Sequence, residues 1–323
     1  DSSEKLIGAA PLYLKGHSYG EYVFDWGWAD AFEKAGQKYF PKLLSAVPFT
    51  PVTCPKLLVR PGENQSEVRS ILTSGLVSAL EQLNVSSLHI NFSSLDEWEF
   101  LGKAKFLKRQ GIQYHWNNNG YRSFDDFLNS LTSRKRKAIR KERKAANESG
   151  VNIRFLTGAQ IEKRHWDAFF KFYVDTSDRK WGSAYLNREF FTLLGERMAD
   201  KVLLIIAEYE TTLVGGALNF IGKDTLFGRN WGCLADFKFL HFEACYYRAI
   251  DFAIENGLSR VEAGAQGEHK IQRGYIPTLT YSNHYIDDLG FRDAVAQFLH
   301  RESSYIVEQK ANLDQTTPFR QEQ

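Results

Sequence analysis

Cysteine is scarce in this sequence. The 323-residue chain has 3 cysteines, and Cys54, Cys233 and Cys245 match neither a disulfide framework nor a zinc-ligand spacing. A reducing cytoplasm is the compartment that this usage predicts. Long hydrophobic runs are missing as well: the longest is "VLLIIA" at 202–207, far short of the ~20 residues of a membrane-spanning helix. No charged-then-apolar segment opens the chain, so the expectation is a soluble protein that is not secreted. Nor is there a surplus of one charge. Lys and Arg number 41 against 39 Asp and Glu, a formal net charge of +2, which excludes a global pull toward nucleic acid or membrane and leaves partners to local patches.

What is present suffices for two cores: 43% of residues are hydrophobic and 14% aromatic, the balance of an ordinary globular protein. Two stretches look alike. "LIGAAPLYLKGHSYGEYVFDWGWAD" at 6–30 and "LVGGALNFIGKDTLFGRNWGCLAD" at 213–236 share a glycine after two apolar residues, two β-like runs around a Gly-containing turn, and a Trp-Gly leading to Ala-Asp. This spacing predicts duplicated domains rather than a solenoid, with "SYGEYVFDWGW" and "TLFGRNWGC" on equivalent strands. Each half then reads as hairpin, helix, strand: helix 66–84 before "SSLHINF", and helix 239–257 before "LSRVEAG". Between them, 123–150 reads as a helix-rich connector with a capping box at Ser123 and Asp126. It contains the densest charge run, "SRKRKAIRKERK" at 133–144, with Ala138 and Ile139 marking the buried side. Helices are expected at 159–174, 187–199 and 291–313, a strand at 201–209, and a frayed polar tail after Asp314.

Two helices, a hairpin, a helix, then a strand with a polar loop is the order of a GNAT fold. The segments "GAAPLYLKGHSYGEYVFDWGWADAF", "HFEACYYRAIDFAIENGL" and "GAQGEHKIQRGYIPTLTYSNHYI" resemble the FemAB-like family of N-acyltransferases, also described as peptidoglycan biosynthesis and recognition proteins. The resemblance runs through nearly all of the chain. It implies an α/β (α+β) protein of tandem GNAT-like domains with mixed, mainly antiparallel sheets flanked by helices. The boundaries expected are 1–122 for the first domain, truncated at its start, 123–150 for the basic connector, and 151–323 for the catalytic half. It also implies transfer of an acyl or aminoacyl group onto an amine acceptor.

That chemistry needs a base for the amine, donors for the developing oxyanion and an acid for the leaving group. The loop "GAQGEHKIQRGYIP" at 264–277 leaves the end of a strand and is absent from the first copy, which points to the second half as the site. Glu262, in a β-like run, and Glu268, at a helix start where the dipole favours its charged form, are the candidate bases. The alternatives are a buried salt bridge or solvent-facing position for Glu262 and a capping charge for Glu268. His269 can relay a proton near neutral pH, against a structural role. Lys270 and Arg273, three apart, form a candidate anion clamp, against a solvated basic face. Gly264 and Gly267 permit close backbone approach or positive φ, and Pro277 ends the segment. On the preceding helix His241 and Cys245 are four apart and share a face, and His241 is a candidate substrate contact; for Cys245 the alternative is core packing. The GNAT resemblance makes Tyr246 or Tyr247 a candidate acid for the leaving group, against aromatic packing.

One feature of that resemblance is missing. GNAT enzymes hold the coenzyme A pyrophosphate on a glycine-bearing turn at a helix start, and here the position reads "LADFKFLHFEACYY". An acyl-CoA donor thereby loses its usual support. Fem transferases, which take aminoacyl-tRNA as donor, also lack that turn, and a basic helix at 134–144 suits an RNA backbone or anionic lipid. A solvated connector is its alternative. A non-catalytic module recognising a cell-wall or amine ligand is the third reading of the whole chain. Oligomeric state is open at this level.

Overall fold

A computed structural model describes residues 5–181, 184–264 and 267–320. In chain order the strands are β1 (Gly8–Ala9), β2 (Tyr13–Lys15), β3 (Lys42–Ser45), β4 (Leu58–Val59), β5 (Ser87–Ser93), β6 (Leu107–Asn117), β7 (Val151–Thr157), β8 (Val202–Tyr209), β9 (Thr212–Ile221), β10 (Thr225–Cys233), β11 (Arg260–Glu262) and β12 (Ile276–Ile286). The helices are α1 (Trp26–Lys34), α2 (Gln65–Leu83), α3 (Leu95–Lys103), α4 (Phe124–Ser130), α5 (Ser133–Asn147), α6 (Lys163–Trp181), α7 (Arg188–Met198), α8 (Leu240–Phe242), α9 (Arg248–Glu255) and α10 (Leu289–Asp314). A π-helical turn, Glu243–Tyr247, joins α8 to α9, and a 3-10 helix spans Glu268–Arg273.

The chain forms two compact units, Asp1–Gln113 with Thr278–Leu313, and Tyr114–Pro277 with Asp314–Gln323. These are not the boundaries 122 and 150 read from the sequence. The strand that follows each helix–strand pair has been exchanged: β6 ends in the second unit, where Asn117, Trp116 and His115 pair with β11, and β12 pairs with β5 in the first. The basic segment belongs wholly to the second unit, as α5. Linear segmentation fails because a strand's partner is chosen by sheet pairing and not by sequence proximity.

In the first unit β2 pairs antiparallel with β3, β3 parallel with β5, and β5 antiparallel with β12. Every residue of β5 is buried, as expected of a strand covered on both faces. Asn64 caps α2 by accepting from Glu67 N, and α2 lays Leu76 and Leu80 on Leu43, Leu88, Ile90 and Leu101. α1 and α10 contribute Trp28, Phe32, Val295 and Leu299 to a second cluster. The expected match of "SYGEYVFDWGW" with "TLFGRNWGC" is wrong: Trp26 opens a helix, whereas 225–233 is strand β10. The first copy has no hairpin of its own either, since β1 pairs with β4 and β2 with β3. The counterpart of β9–β10 is β2–β3, with α1 inserted between them, so the similarity of the two stretches is not structural equivalence.

Past Ser45↔Ile90 the pairing of β3 with β5 ends. The space is taken by the chain itself: Cys54 N donates to Phe92 O at 3.0 Å, and the buried Lys56 Nζ donates to Phe92 O at 2.9 Å and Cys54 O at 2.7 Å.

In the second unit the sheet runs from the end of β6 through β11, β10, β9 and β8 to β7, antiparallel except for β10 beside β11. α6 and α7 cover it through Phe169, Phe172 and Phe191, packed with Leu204, Ile206 and Leu218. As far as Arg320 the C-terminal segment is tied down, not frayed. Thr132 N donates to Pro318 O and Arg320 N to Ser130 O, because Phe319, 6.5 Å from the Phe127 ring, gives this polar segment one apolar anchor.

The first unit also buries charge. Lys42 Nζ, with a fully buried side chain, donates to Glu21 Oε2 at 2.9 Å and to Asp25, and Tyr39 OH donates to Asp25 Oδ2 at 2.7 Å. Removing one partner of such a group strands the others. Lys42→Ala is therefore expected to cost about 3–5 kcal/mol in urea denaturation; a loss below about 1 kcal/mol would show that the three charges are independent.

Candidate active site

β10 pairs with β9 nearly end to end but with β11 over three residues only, Thr225↔Arg260, Leu226↔Val261 and Phe227↔Glu262. Beyond Phe227 these parallel strands part, and among the described residues β10 has no strand partner on that side. A bulge between Gly228 and Asn230 marks the same place. Gly228 is needed there: a Cβ would stand 3.2 Å from Glu262 O and 3.4 Å from Ala263 Cα. The fork opens into a cleft of about 100 Å³ lined by Gly228–Trp231 of β10, Asn219 of β9, Ala263, and His241, Cys245 and Tyr246 of the crossover helix.

That helix is irregular where it meets the cleft. Its π turn, a feature that often marks functional sites, carries Tyr246 and Tyr247, both buried. The two phenols have different partners. Tyr246 OH lies 3.0 Å from His269 Nε2, whereas Tyr247 OH donates to Glu142 of α5. Burial raises both above the ordinary tyrosine value, so each holds its proton at neutral pH.

Glu262 is the last residue of β11 and is 5% exposed. His115 stands directly opposite on β6, its Nδ1 3.9 Å from Glu262 Oε1, and Arg260 reaches the same oxygen at 3.7 Å. Oε2 has no hydrogen-bond partner among the described residues. Burial pushes the carboxyl up to about 7 and pushes His115 down to about 3. A carboxyl poised near neutral pH at a fork between strands can accept a proton.

The loop after β11 turns through Gly264 at φ +80° and Gly267 at φ +111°, as its glycines predict; Ala265 and Gln266 lie outside the described residues. Glu268 is exposed and makes no side-chain hydrogen bond among the described residues. His269 is exposed too; burial of part of its ring, then the charges of Arg273 and Lys270, lower its pKa. Lys270 is buried, donates from Nζ to Gly264 O at 3.0 Å, and is pushed down to about 8 by burial. Arg273 is equally committed: Nη1 donates to His269 O at 2.8 Å, and Nη2 to both Glu142 oxygens at 3.0 and 3.1 Å. These two cations hold the loop, and the solvated basic face expected as their alternative is absent. His241 stacks edge-on to Tyr246 at 5.4 Å and, with Cys245, lines the cleft.

Sequence reasoning missed the β10 wall, His115 and Glu142. Two signals existed: the glycines of "LFGRNWG", and Glu142 as the single acid within "SRKRKAIRKERK". On α5 Ile139 and Ala146 are buried, but Ala138, expected beside Ile139, is exposed, because the inner stripe runs Ile139, Glu142, Arg143, Ala146 at helical spacing.

The FemAB-like family model, described as peptidoglycan biosynthesis/recognition, matches residues 1–321. Among solved structures, L-PGS from Bacillus licheniformis superposes with a TM-score of 0.54 at 10% identity, over 81% of this chain and 84% of that one. FemX does so with 0.52 at 12% identity, over 79% and 86%. A conserved protein of unknown function from Bacteroides thetaiotaomicron gives 0.52 at 13% identity, over 78% and 81%. At such identities the likeness is one of fold. No curated protein sequence matches the chain significantly. Among the described residues no helix is long and apolar enough to cross a membrane, and no cluster of His, Cys, Asp and Glu fits a metal ion.

The raised Glu262 has a stability signature. Its folded-state value of about 7 exceeds the ordinary 4.5, so stability is fully present below pH ~4.5 and is lost as pH rises through ~7, by about 3 kcal/mol at pH 8. Glu262→Gln cannot ionise. It is expected to be more stable than wild type at pH 8 and equal to it near pH 4.5, read as melting temperature; a loss of stability at pH 8 would make Glu262 a structural salt-bridge partner.

Proposed function

Because the chain belongs to the FemAB-like family, we propose that it transfers an acyl or aminoacyl group onto an amine, and that the cleft beside β10 is where transfer takes place. The observation that carries this reading is the fork itself. It brings an unpaired strand edge and a hydrogen-bonded phenol to one cavity, and Glu262, whose carboxyl burial holds near neutrality, directly precedes the lining residue Ala263.

An amine acceptor reaches the site as an ammonium, and Glu262 removes the proton that blocks its lone pair. The nitrogen then attacks the carbonyl carbon of the donor. Backbone N–H groups on the open edge of β10 then stabilise the oxyanion without reorganising. When the tetrahedral adduct collapses, the bond to the departing oxygen or sulfur breaks and Tyr246 supplies its proton. His269, exposed and 3.0 Å away, returns a proton to the phenol from solvent. Glu268, without a side-chain hydrogen bond among the described residues and outside the cleft wall, is left out of this scheme, and Lys270 and Arg273 act as loop holders.

Support for the choice of donor comes from the helix that starts after β10. Its cap residue, Phe239, sits at φ +65° with no side-chain cap, and no glycine there lets a pyrophosphate approach the backbone N–H groups. A nucleic-acid-linked donor is favoured by α5 instead. Arg134, Lys137, Lys141 and Lys144 are exposed along one side of it, spaced to follow a line of phosphates, while Lys135 and Arg143 turn inward to Gln272 and Glu243.

Tyr246→Phe is expected to lower kcat by ~10²–10³ and leave acceptor KM within about twofold; an unchanged kcat removes the phenol from the chemistry. Acetyl-CoA should bind with a Kd well above ~100 μM by titration calorimetry, and a low-micromolar constant would restore the coenzyme. For tRNA, the slope of log K against log salt should fall by roughly 2–3 when Arg134, Lys137 and Lys141 are changed to Gln. An unaltered slope would mean that α5 does not meet the RNA.

A further inference from the structure

α5 meets the loop of the candidate site through one carboxylate. Glu142 lies on the inner stripe of α5, its side chain 20% exposed. Its two oxygens receive Arg273 Nη2 at 3.0 and 3.1 Å, and one of them also receives Tyr247 OH. Arg273 is thereby fixed in three ways. Glu142 holds its guanidinium, the Phe242 ring lies 3.4 Å beneath it, and its Nη1 donates to the backbone oxygen of His269 at 2.8 Å. His269 then meets Tyr246. The path from α5 to the cleft therefore consists of Glu142, Arg273, the His269 main chain and the Tyr246 phenol.

Neighbouring contacts make the hold local. Arg143, the next residue, is engaged elsewhere, with Glu243 at 3.0 Å and with Asp251. Lys135 donates to Gln272 on the same 3-10 helix. Glu142 is the one side chain of α5 that meets both the crossover helix and Arg273. A 3-10 segment of six residues bounded by positive-φ Gly267 and Gly274 has little stiffness of its own, so its placement depends on such anchors.

We propose that Glu142 is a positioning residue for the transfer site: by clamping Arg273 and Tyr247 it sets the 3-10 segment so that His269 meets Tyr246 at the cleft. This rests on the reading of the cleft as the transfer site, and it adds a residue that touches neither substrate nor donor. It also explains why the single acid in the basic run sits where it does. A surface role for that acid would place it outward among the lysines, where it would weaken a phosphate-binding face.

The test is a titration of His269 by NMR in the intact protein, with the signal assigned by its disappearance in His269→Asn. Arg273 held beside His269 lowers the imidazole's midpoint. In Glu142→Gln the charged hold is lost; if the Phe242 ring and the His269 carbonyl do not by themselves keep the guanidinium beside the imidazole, as the proposal requires, the midpoint is expected to rise by about half a pH unit with the fold retained by circular dichroism. Loss of a carboxylate acting only as a nearby charge would move the midpoint down. A midpoint that falls or stays therefore overturns the proposal. If Glu142→Gln does not fold, Glu142→Asp carries the test: it keeps the charge but withdraws it by one methylene, and a smaller rise is expected, with no movement overturning the assignment. Because the titration reads the loop and not turnover, its failure leaves the transferase reading standing. Failure of the transferase reading, detected as absence of acyl transfer with every donor class, would not alter the titration.

Discussion

The parting of two parallel strands is the constraint on which the second unit depends. β10 and β11 share three residue pairs and then separate, and parallel neighbours require a crossover between them. That crossover, α8 with the π turn and α9, lies against both strands and carries Tyr246 to the fork. Glu262 is the last paired residue, so its carboxylate is buried at the junction while the adjoining Ala263 already faces open space. The glycine opposite lets the two backbones come close just before they diverge. Cleft, phenol and carboxyl are thus consequences of one pairing that stops early.

The first unit has the same antiparallel-then-parallel arrangement and resolves it differently. Where β3 leaves β5, residues 54–56 move in and saturate Phe92 O with a main-chain and an ammonium donor. The first fork is thus occupied by its own chain, whereas in the second unit a cleft lies in the gap. The asymmetry between the halves therefore lies in what occupies the gap, a firmer basis for assigning the site to the second unit than the unequal loops of an aligned repeat.

Several buried charges are matched by charges of opposite sign. Lys42 is matched by Glu21 and Asp25, and Glu243 by Arg143 and Arg248, as desolvated ions must be. Glu262 is less well matched: its nearest cations stand at 3.7 Å or more, and among the described residues its Oε2 has no hydrogen-bond partner. Burial with so few donors keeps this carboxylate near neutrality, at a cost to stability.

The sequence by itself determined the elements and the neighbourhood of the site. Apolar periodicity specified α2, α6, α7, α10, β5 and β8 because each buries one face or both, and local periodicity records burial directly. The loop 264–277 was legible because glycines and charges crowd the end of a strand, and its His269 does meet Tyr246. Tertiary structure alone decided the rest. The exchange of β6 and β12, the filling of one fork and not the other, and the pairing of Arg273 with Glu142 across 131 positions are choices among partners distant in sequence. Spacing along a chain says which face a side chain occupies, but not which other face it will meet. For the same reason Lys270 and Arg273 looked like a free clamp: their charges are visible in the sequence, and the carbonyl and carboxylate that satisfy them are brought near only by the fold.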